Sequence, residues 1–120
     1  MGLFSKRVKA QQIRSTEDLD GALALGKPVL VDFWKNDCQP CRIMDGIVDE
    51  LADEFQDEAV VMKAALERVP DLFRKFKVKS TPTFVLITPE NNGLHLRFRH
   101  SGLVKKDRLT GQLQKAVDSS

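Results

Sequence analysis

Val29-Leu30-Val31-Asp32-Phe33-Trp34-Lys35-Asn36-Asp37-Cys38-Gln39-Pro40-Cys41-Arg42 begins as a strand and ends as a helix. Gly26-Lys27-Pro28 breaks the chain just before it. Val29, Leu30, Val31 and Phe33 then form a short, β-branched-rich apolar run whose length fits a buried strand. Asp32 sits inside that run, where a carboxylate is costly to bury without a partner or a task. After the two cysteines, the only ones in the chain, the apolar period changes. Ile43, Ile47, Val48, Leu51 and Phe55 recur at helical spacing, with Asp45, Asp49, Asp53 and Glu54 between them. A strand thus delivers a cysteine pair to the first turn of a helix.

A sulfur at that position faces unpaired backbone N–H groups and the positive end of the helix dipole. Both favour thiolate over thiol. Cys38 is therefore expected to be the attacking sulfur. Cys41, almost one turn further in, can close a small ring with Cys38 and is expected to be the more buried. Pro40 falls in the first turn, where its missing N–H costs little and its fixed φ suits the helix. It also stiffens the ring.

Outward from this centre, 120 residues with a net charge of +2 and 42% hydrophobic composition read as one soluble domain able to bury a single core. No apolar run is long enough to span a membrane. Met1 to Ala10 carries Lys6, Arg7 and Lys9 but no apolar stretch of the secretory kind. Residues 1–7 read as a flexible extension, and Lys6 stands where a myristoylation motif at Gly2 would want Ser or Thr. A cytoplasmic location is expected.

Val8 to Ile13 is expected as a first strand. Ser15-Thr16-Glu17-Asp18 starts a helix with a hydroxyl cap followed by acids; Leu19, Ala22 and Leu23 give its apolar face, and Gly26 with Pro28 stops it. Gly46 interrupts the helix that follows the cysteines and weakens it by roughly 1 kcal/mol relative to alanine. Ala59 to Ala65 is a strand, and Pro70 opens a short helix through Phe73 and Phe76. Thr83 to Thr88 is a strand, and Pro89-Glu90-Asn91-Asn92-Gly93 a hairpin turn. Leu94, Leu96 and Phe98 alternate with His95, Arg97 and Arg99 as in a half-exposed strand. Gly102 ends it. Lys105 to Val117 closes the chain as a helix with Leu109, Leu113, Ala116 and Val117 inward. This order implies an α/β fold, a central mixed sheet with helices on both faces.

Two cysteines could also be a structural thiol pair or half of a zinc site. Zinc needs about four ligands, and only His95 and His100 remain as soft candidates, far along the chain. No metal or other cofactor is expected, and both histidines read as solvated. So do the acidic face of the cysteine-bearing helix and the cluster Arg97, Arg99, Lys105, Lys106 and Arg108. There is no nucleic-acid signature. Trp34 reads as packing beside the cysteines.

Asp-Phe-Trp, three residues, then Cys-x-Pro-Cys resembles the active-site stretch of thioredoxins, a family built on a Cys-x-x-Cys redox motif. Ser80-Thr81-Pro82-Thr83-Phe84-Val85-Leu86-Ile87 resembles the strand of that family whose proline follows a cis peptide bond. Val61-Met62-Lys63 resembles the strand carrying the buried lysine partner of the aspartate. With Asp32, Lys63, Pro82 and Gly102 in order, the resemblance covers roughly residues 8 to 118 and implies a thioredoxin fold. It further implies a protein-disulfide oxidoreductase, acting as a monomer on protein disulfides and recharged by a thioredoxin-reductase-type electron donor. Cys38 would attack a client disulfide, and Cys41 would resolve the mixed disulfide to give a Cys38–Cys41 disulfide. Asp32 would accept the Cys41 proton, with its pKa raised by burial and modulated by Lys63. Trp34, Asp37, Gln39, Pro40, Thr81, Pro82 and Gly102 would line the substrate site, Gly102 letting the substrate approach closely.

Three residues depart from the family pattern. Gly46 stands where a kinking proline is common. Asp37 stands where tryptophan is usual, and Gln39 replaces glycine between the cysteines. Asp37 puts charge on an apolar docking surface and is expected to oppose the Cys38 thiolate and narrow the client range. The departures leave room for a partner-dedicated enzyme, or for a non-catalytic binding module with incidental cysteines.

Overall fold

The computed structural model describes residues 7–91 and 93–120. Most of the expected N-terminal extension, residues 1–6, lies outside them. The elements run β1 (Gln11–Gln12), α1 (Thr16–Leu23), β2 (Val29–Trp34), α2 (Gln39–Glu54), β3 (Val60–Ala65), α3 (Pro70–Lys75), β4 (Thr83–Glu90), β5 (Gly93–Ser101) and α4 (Lys106–Asp118). One sheet takes the strand order β1-β3-β2-β4-β5. Its first two pairs are parallel and its last two antiparallel.

β2 lies at the centre, hydrogen-bonded on both sides and covered on both faces, so its sequence is a nearly unbroken apolar run. Alternation along the strands sends Leu30, Val61, Phe84 and Leu86 to one face and Val29, Val31, Phe33, Met62, Ala64, Val85 and Ile87 to the other. The first set meets Met44, Val48, Leu51 and Ala52 of α2 and Leu109, Leu113 and Ala116 of α4. The second meets Leu19 and Ala22 of α1 and Leu72 and Phe73 of α3. Phe33 stands edge-on to Phe73, with ring centroids 5.0 Å apart.

Several local expectations are corrected. The first strand shrinks to two residues, because the N–H groups of Val8 and Ala10 bond to carboxylates of α2, Asp53 and Asp49, instead of a neighbouring strand. Ser15 is the N-cap of α1, but its hydroxyl makes no capping bond; Asp18 reaches back to accept the Arg14 N–H at 2.8 Å. Ile43 does not join the buried stripe of α2 and is 52% exposed, while Met44 points inward. α2 runs unbroken through Gly46.

β5 does not bury Leu94, Leu96 and Phe98 on a common face. Leu86 pairs with Phe98 and Ile87 with Leu96, so Arg97 is an extra residue and the strand changes face there. Phe98 packs on the α2/α4 side, whereas Leu94 and Leu96 stay exposed at the sheet edge. β4 runs on to Glu90, which pairs with Gly93, so the hairpin is tighter than Pro89–Gly93; Asn92 lies outside the described residues.

Most of the basic cluster is tied down. The Arg99 guanidinium donates to the Phe76 and Lys77 carbonyls beyond α3, Arg97 donates to Ser119, and Lys106 pairs with Glu50 and Glu54. Arg108 lies over the Phe98 ring, 5.3 Å from its centroid.

Candidate active site

The C-terminal end of β2 and the N-terminal end of α2 are joined by Lys35, Asn36 and Asp37. The Asn36 N–H donates to the Glu67 carboxylate, 3.2 Å to the nearer oxygen. Asp37 takes a left-handed backbone, φ 55°, a conformation that aspartate tolerates better than most side chains. That turn swings the chain so that Cys38 becomes the N-cap of α2, followed by Gln39 and Pro40 in the first turn. Gln39 accepts a hydrogen bond from Arg42.

Cys38 and Cys41 form a disulfide, with Cα atoms 5.3 Å apart. The Cys38 Sγ accepts the Cys41 N–H at 3.3 Å, so a backbone donor that the helix leaves unpaired is directed at this sulfur. The two residues are 6% and 5% exposed, so the expected difference in burial is too small to tell them apart. Their surroundings do differ. Cys38 lies against Thr81, its Sγ 3.4 Å from the threonine hydroxyl and 3.6 Å from the carbonyl oxygen. Cys41 lines a cleft of about 530 Å³ together with Trp34, Lys35, Asn36, Asp37, Arg42 and Asp45. The Trp34 indole N–H donates to Gln12 at 3.3 Å, fixing the ring at the rim of that cleft.

Thr81–Pro82 is a cis peptide. The Pro82 carbonyl accepts the Gly102 N–H at 2.7 Å, which brings the end of β5 to the same edge of the site. Gly102 has φ 95°, and a Cβ there would meet nothing within 4 Å. The backbone angle, not crowding, is what calls for glycine. Next to it Leu103 is 54% exposed, and with Ile43, Ile47 and Val104 it lines a mostly apolar hollow.

Asp32 is on the α2/α4 face of β2, 1% exposed, and its Oδ1 has no hydrogen-bond partner among the described residues. Burial pushes its carboxyl up from the usual 3.8 to about 7; Lys63 pulls it down, and the charges of Asp45 and Asp49 add to the rise. Lys63 is its register partner on β3. The lysine ammonium, however, bonds Asp45 at 2.7 Å and Asp49 at 2.9 Å. Burial pulls that ammonium down, but the two carboxylate bonds outweigh it and leave Lys63 above its usual 10.5.

Asp45 and Asp49 are thus part of the site rather than the solvated surface expected of the acidic face of α2. The sequence signals only that such a partner is needed: a lysine within an apolar strand calls for an anion, and α2 offers several acids at four-residue spacing without marking which of them reach it. Among the described residues, no group of three or more His, Cys, Asp or Glu side chains is arranged to hold a metal ion.

A disulfide anchored at a helix N-terminus, on a mixed sheet of this order, is the arrangement of the thioredoxin fold. The Thioredoxin family model matches residues 11–115, and the chain belongs to the thioredoxin family. It is similar to Thioredoxin-T of Drosophila melanogaster, 40% identical over 81 residues, 66% of this chain and 52% of that protein. The chain thus spans about half the length of that relative. Thioredoxin 1 of Chlorobaculum tepidum is 30% identical over 90 residues, 75% of this chain and 85% of that protein. Among solved structures, the thioredoxin of Malassezia sympodialis (Mala s 13) superposes with a TM-score of 0.80 at 20% identity, 97% of each chain being covered.

Proposed function

We propose that this chain reduces disulfides of client proteins and returns to its dithiol form at the expense of a thioredoxin-reductase-type electron donor. The observation that carries the reading is the Cys38–Cys41 disulfide at the N-cap of α2, on the sheet face that holds the unpartnered carboxyl of Asp32. In the dithiol form the Cys38 thiolate attacks one sulfur of a client disulfide and expels the other as a thiolate, giving a mixed disulfide. Cys41 then loses its proton to Asp32, directly or through a water, and its thiolate attacks the Cys38 sulfur. The second client thiolate leaves, and the Cys38–Cys41 disulfide closes. The client has gained two electrons, which the donor restores to the cysteine pair, so the protein carries electrons between the two.

Thr81, Pro82 and Gly102 form the edge against which an extended client segment would lie. Trp34, Asp37, Gln39 and Pro40 flank the disulfide, and Lys63 tunes Asp32. The exposed apolar side chains of Ile43 and Leu103 suit a protein surface as client. Residues 1–120 act as one monomeric unit with no resident cofactor, in a reducing compartment, for which the cytoplasm is our assignment. Among the described residues no helix is long and apolar enough to cross a membrane.

The test is dithiothreitol-dependent reduction of insulin disulfides. Wild-type turnover that vanishes in Cys38→Ser is the expected result; equal rates with and without the protein would overturn the reading. Asp37 and Gln39 favour a second reading, a narrow client range. Cys41→Ser should trap mixed disulfides, with one dominant captured protein supporting a dedicated partner and many supporting a general reductase.

A further inference from the structure

Asp32 and Lys63 are partners across the parallel β2–β3 pair and face the same side of the sheet. A lysine so placed would ordinarily neutralise its neighbour. Here two of its three donors point elsewhere: Nζ is 2.7 Å from Asp45 Oδ1 and 2.9 Å from Asp49 Oδ1. Among the described residues, the Oδ1 of Asp32 is left without a hydrogen bond. Both anions come from α2, the helix that carries the cysteines, about one and two turns beyond Cys41.

We propose that Asp45 is a positioning residue: with Asp49 it holds the Lys63 ammonium against α2 and so keeps it from bonding the buried carboxyl of Asp32 directly. The inference rests on the reading of Asp32 as the proton acceptor and adds what governs it. The charged and titratable groups around Asp32 are Lys63 from β3, Asp45 and Asp49 from α2, and Cys38 and Cys41 at the start of α2 in the dithiol form. β4 places Phe84 opposite Asp32 and contributes no charge. Asp49 is fixed a second time, since it accepts the Ala10 N–H at 3.0 Å. Among the described residues Asp45 has no such anchor. Its side chain is 60% exposed and borders the cleft that also holds Lys35 and Arg42. It is the replaceable half of the clamp.

Releasing Asp45 gives Lys63 a free donor and a buried carboxylate to turn to. Removing the Asp45 charge by itself would shift Asp32 in the same direction, so the experiment must separate the two. The carboxyl carbon of Asp32 is titrated by NMR in the dithiol form of wild type, Asp45→Asn, Lys63→Met and the double variant. With Lys63 present, Asp45→Asn should lower the Asp32 midpoint by about one pH unit. In the Lys63→Met background the same substitution should move it by about a third of that or less. No shift in Asp45→Asn, or equal shifts in both backgrounds, overturns the proposal; the second result would mean that Asp45 acts through its own charge alone. Lys63→Gln serves the same arm should Lys63→Met not fold.

A kinetic readout runs alongside. The pH midpoint for resolution of a pre-formed mixed disulfide should fall in Asp45→Asn together with the Asp32 titration. If Asp32→Asn leaves the resolution rate unchanged while the titration cycle gives its coupling, the acceptor reading fails and the clamp stands. If the rate depends on Asp32 and the cycle gives no coupling, the clamp fails and the acceptor reading stands.

Discussion

Asp32 folds with its carboxyl titrating at about 7 against the usual 3.8. Its folded pKa is raised, so the native chain keeps a proton that the unfolded chain has lost between those two values. The associated stability is fully present below about pH 4 and is lost as pH rises through 7, by about 4 kcal/mol in all. Asp32→Asn removes that slope. Guanidinium unfolding at pH 8 and at pH 4 should give the variant a gain over wild type that is larger at pH 8 by about 4 kcal/mol; equal gains at the two pH values would contradict the assignment. At this scale the sequence is readable where a residue clashes with its surroundings. A carboxylate within the apolar run Val29–Trp34 stands out, and so do the chain's two cysteines, three positions apart. Asp45 and Asp49 do not, because they sit on the polar face of an amphipathic helix among Asp53, Glu50 and Glu54. Nothing local marks which of those acids reach across to a buried lysine.

α2 carries the cysteine pair at one end and contributes Met44, Val48, Leu51 and Ala52 to the core. Gly46 sits in its interior on the exposed side, where an added Cβ would meet nothing within 4 Å. Gly46→Ala should therefore stabilise the protein by about 0.5–1 kcal/mol through reduced backbone entropy of the unfolded chain. A urea midpoint that rises without a change in slope would bear this out, and a lower midpoint would count against it. The helix itself is legible from its period, but its inward stripe lies slightly off the axis that the apolar residues suggest. Ile43 is apolar and on the flank, and only the packing of the Leu103–Val104 segment reveals that it borders a surface hollow. In β5 the difference has another cause. Leu94, Leu96 and Phe98 alternate perfectly in sequence, yet one unpaired residue, Arg97, reverses the facing of everything before it. A bulge depends on pairing with β4, and no composition rule betrays it.

The molecule as a whole divides into two apolar cores separated by the sheet, and the disulfide belongs to neither. It closes a ring of only four residues at the end of α2, so it constrains little of the unfolded chain. Chain entropy gives about 2 kcal/mol for a ring that small. Denaturation of the oxidised and dithiol forms should differ by about that amount in unfolding free energy, with the oxidised form the more stable. A loss above about 4 kcal/mol on reduction would mean that the native site tolerates two thiols poorly. The sheet order is legible in outline from the sequence, since alternating strands and helices followed by a hairpin leave few arrangements.

The reacting sulfurs and the β4–β5 hairpin occupy opposite ends of the sheet. β4 starts beside Thr81–Pro82 and runs eight residues, Thr83–Glu90, up to the exposed Asn91, a distance of about 25 Å. That separation makes the hairpin a natural handle. A chain grafted to a bead, an electrode or a reporter through Asn91 would stand with its cysteines facing outward, leaving the working end open to solution.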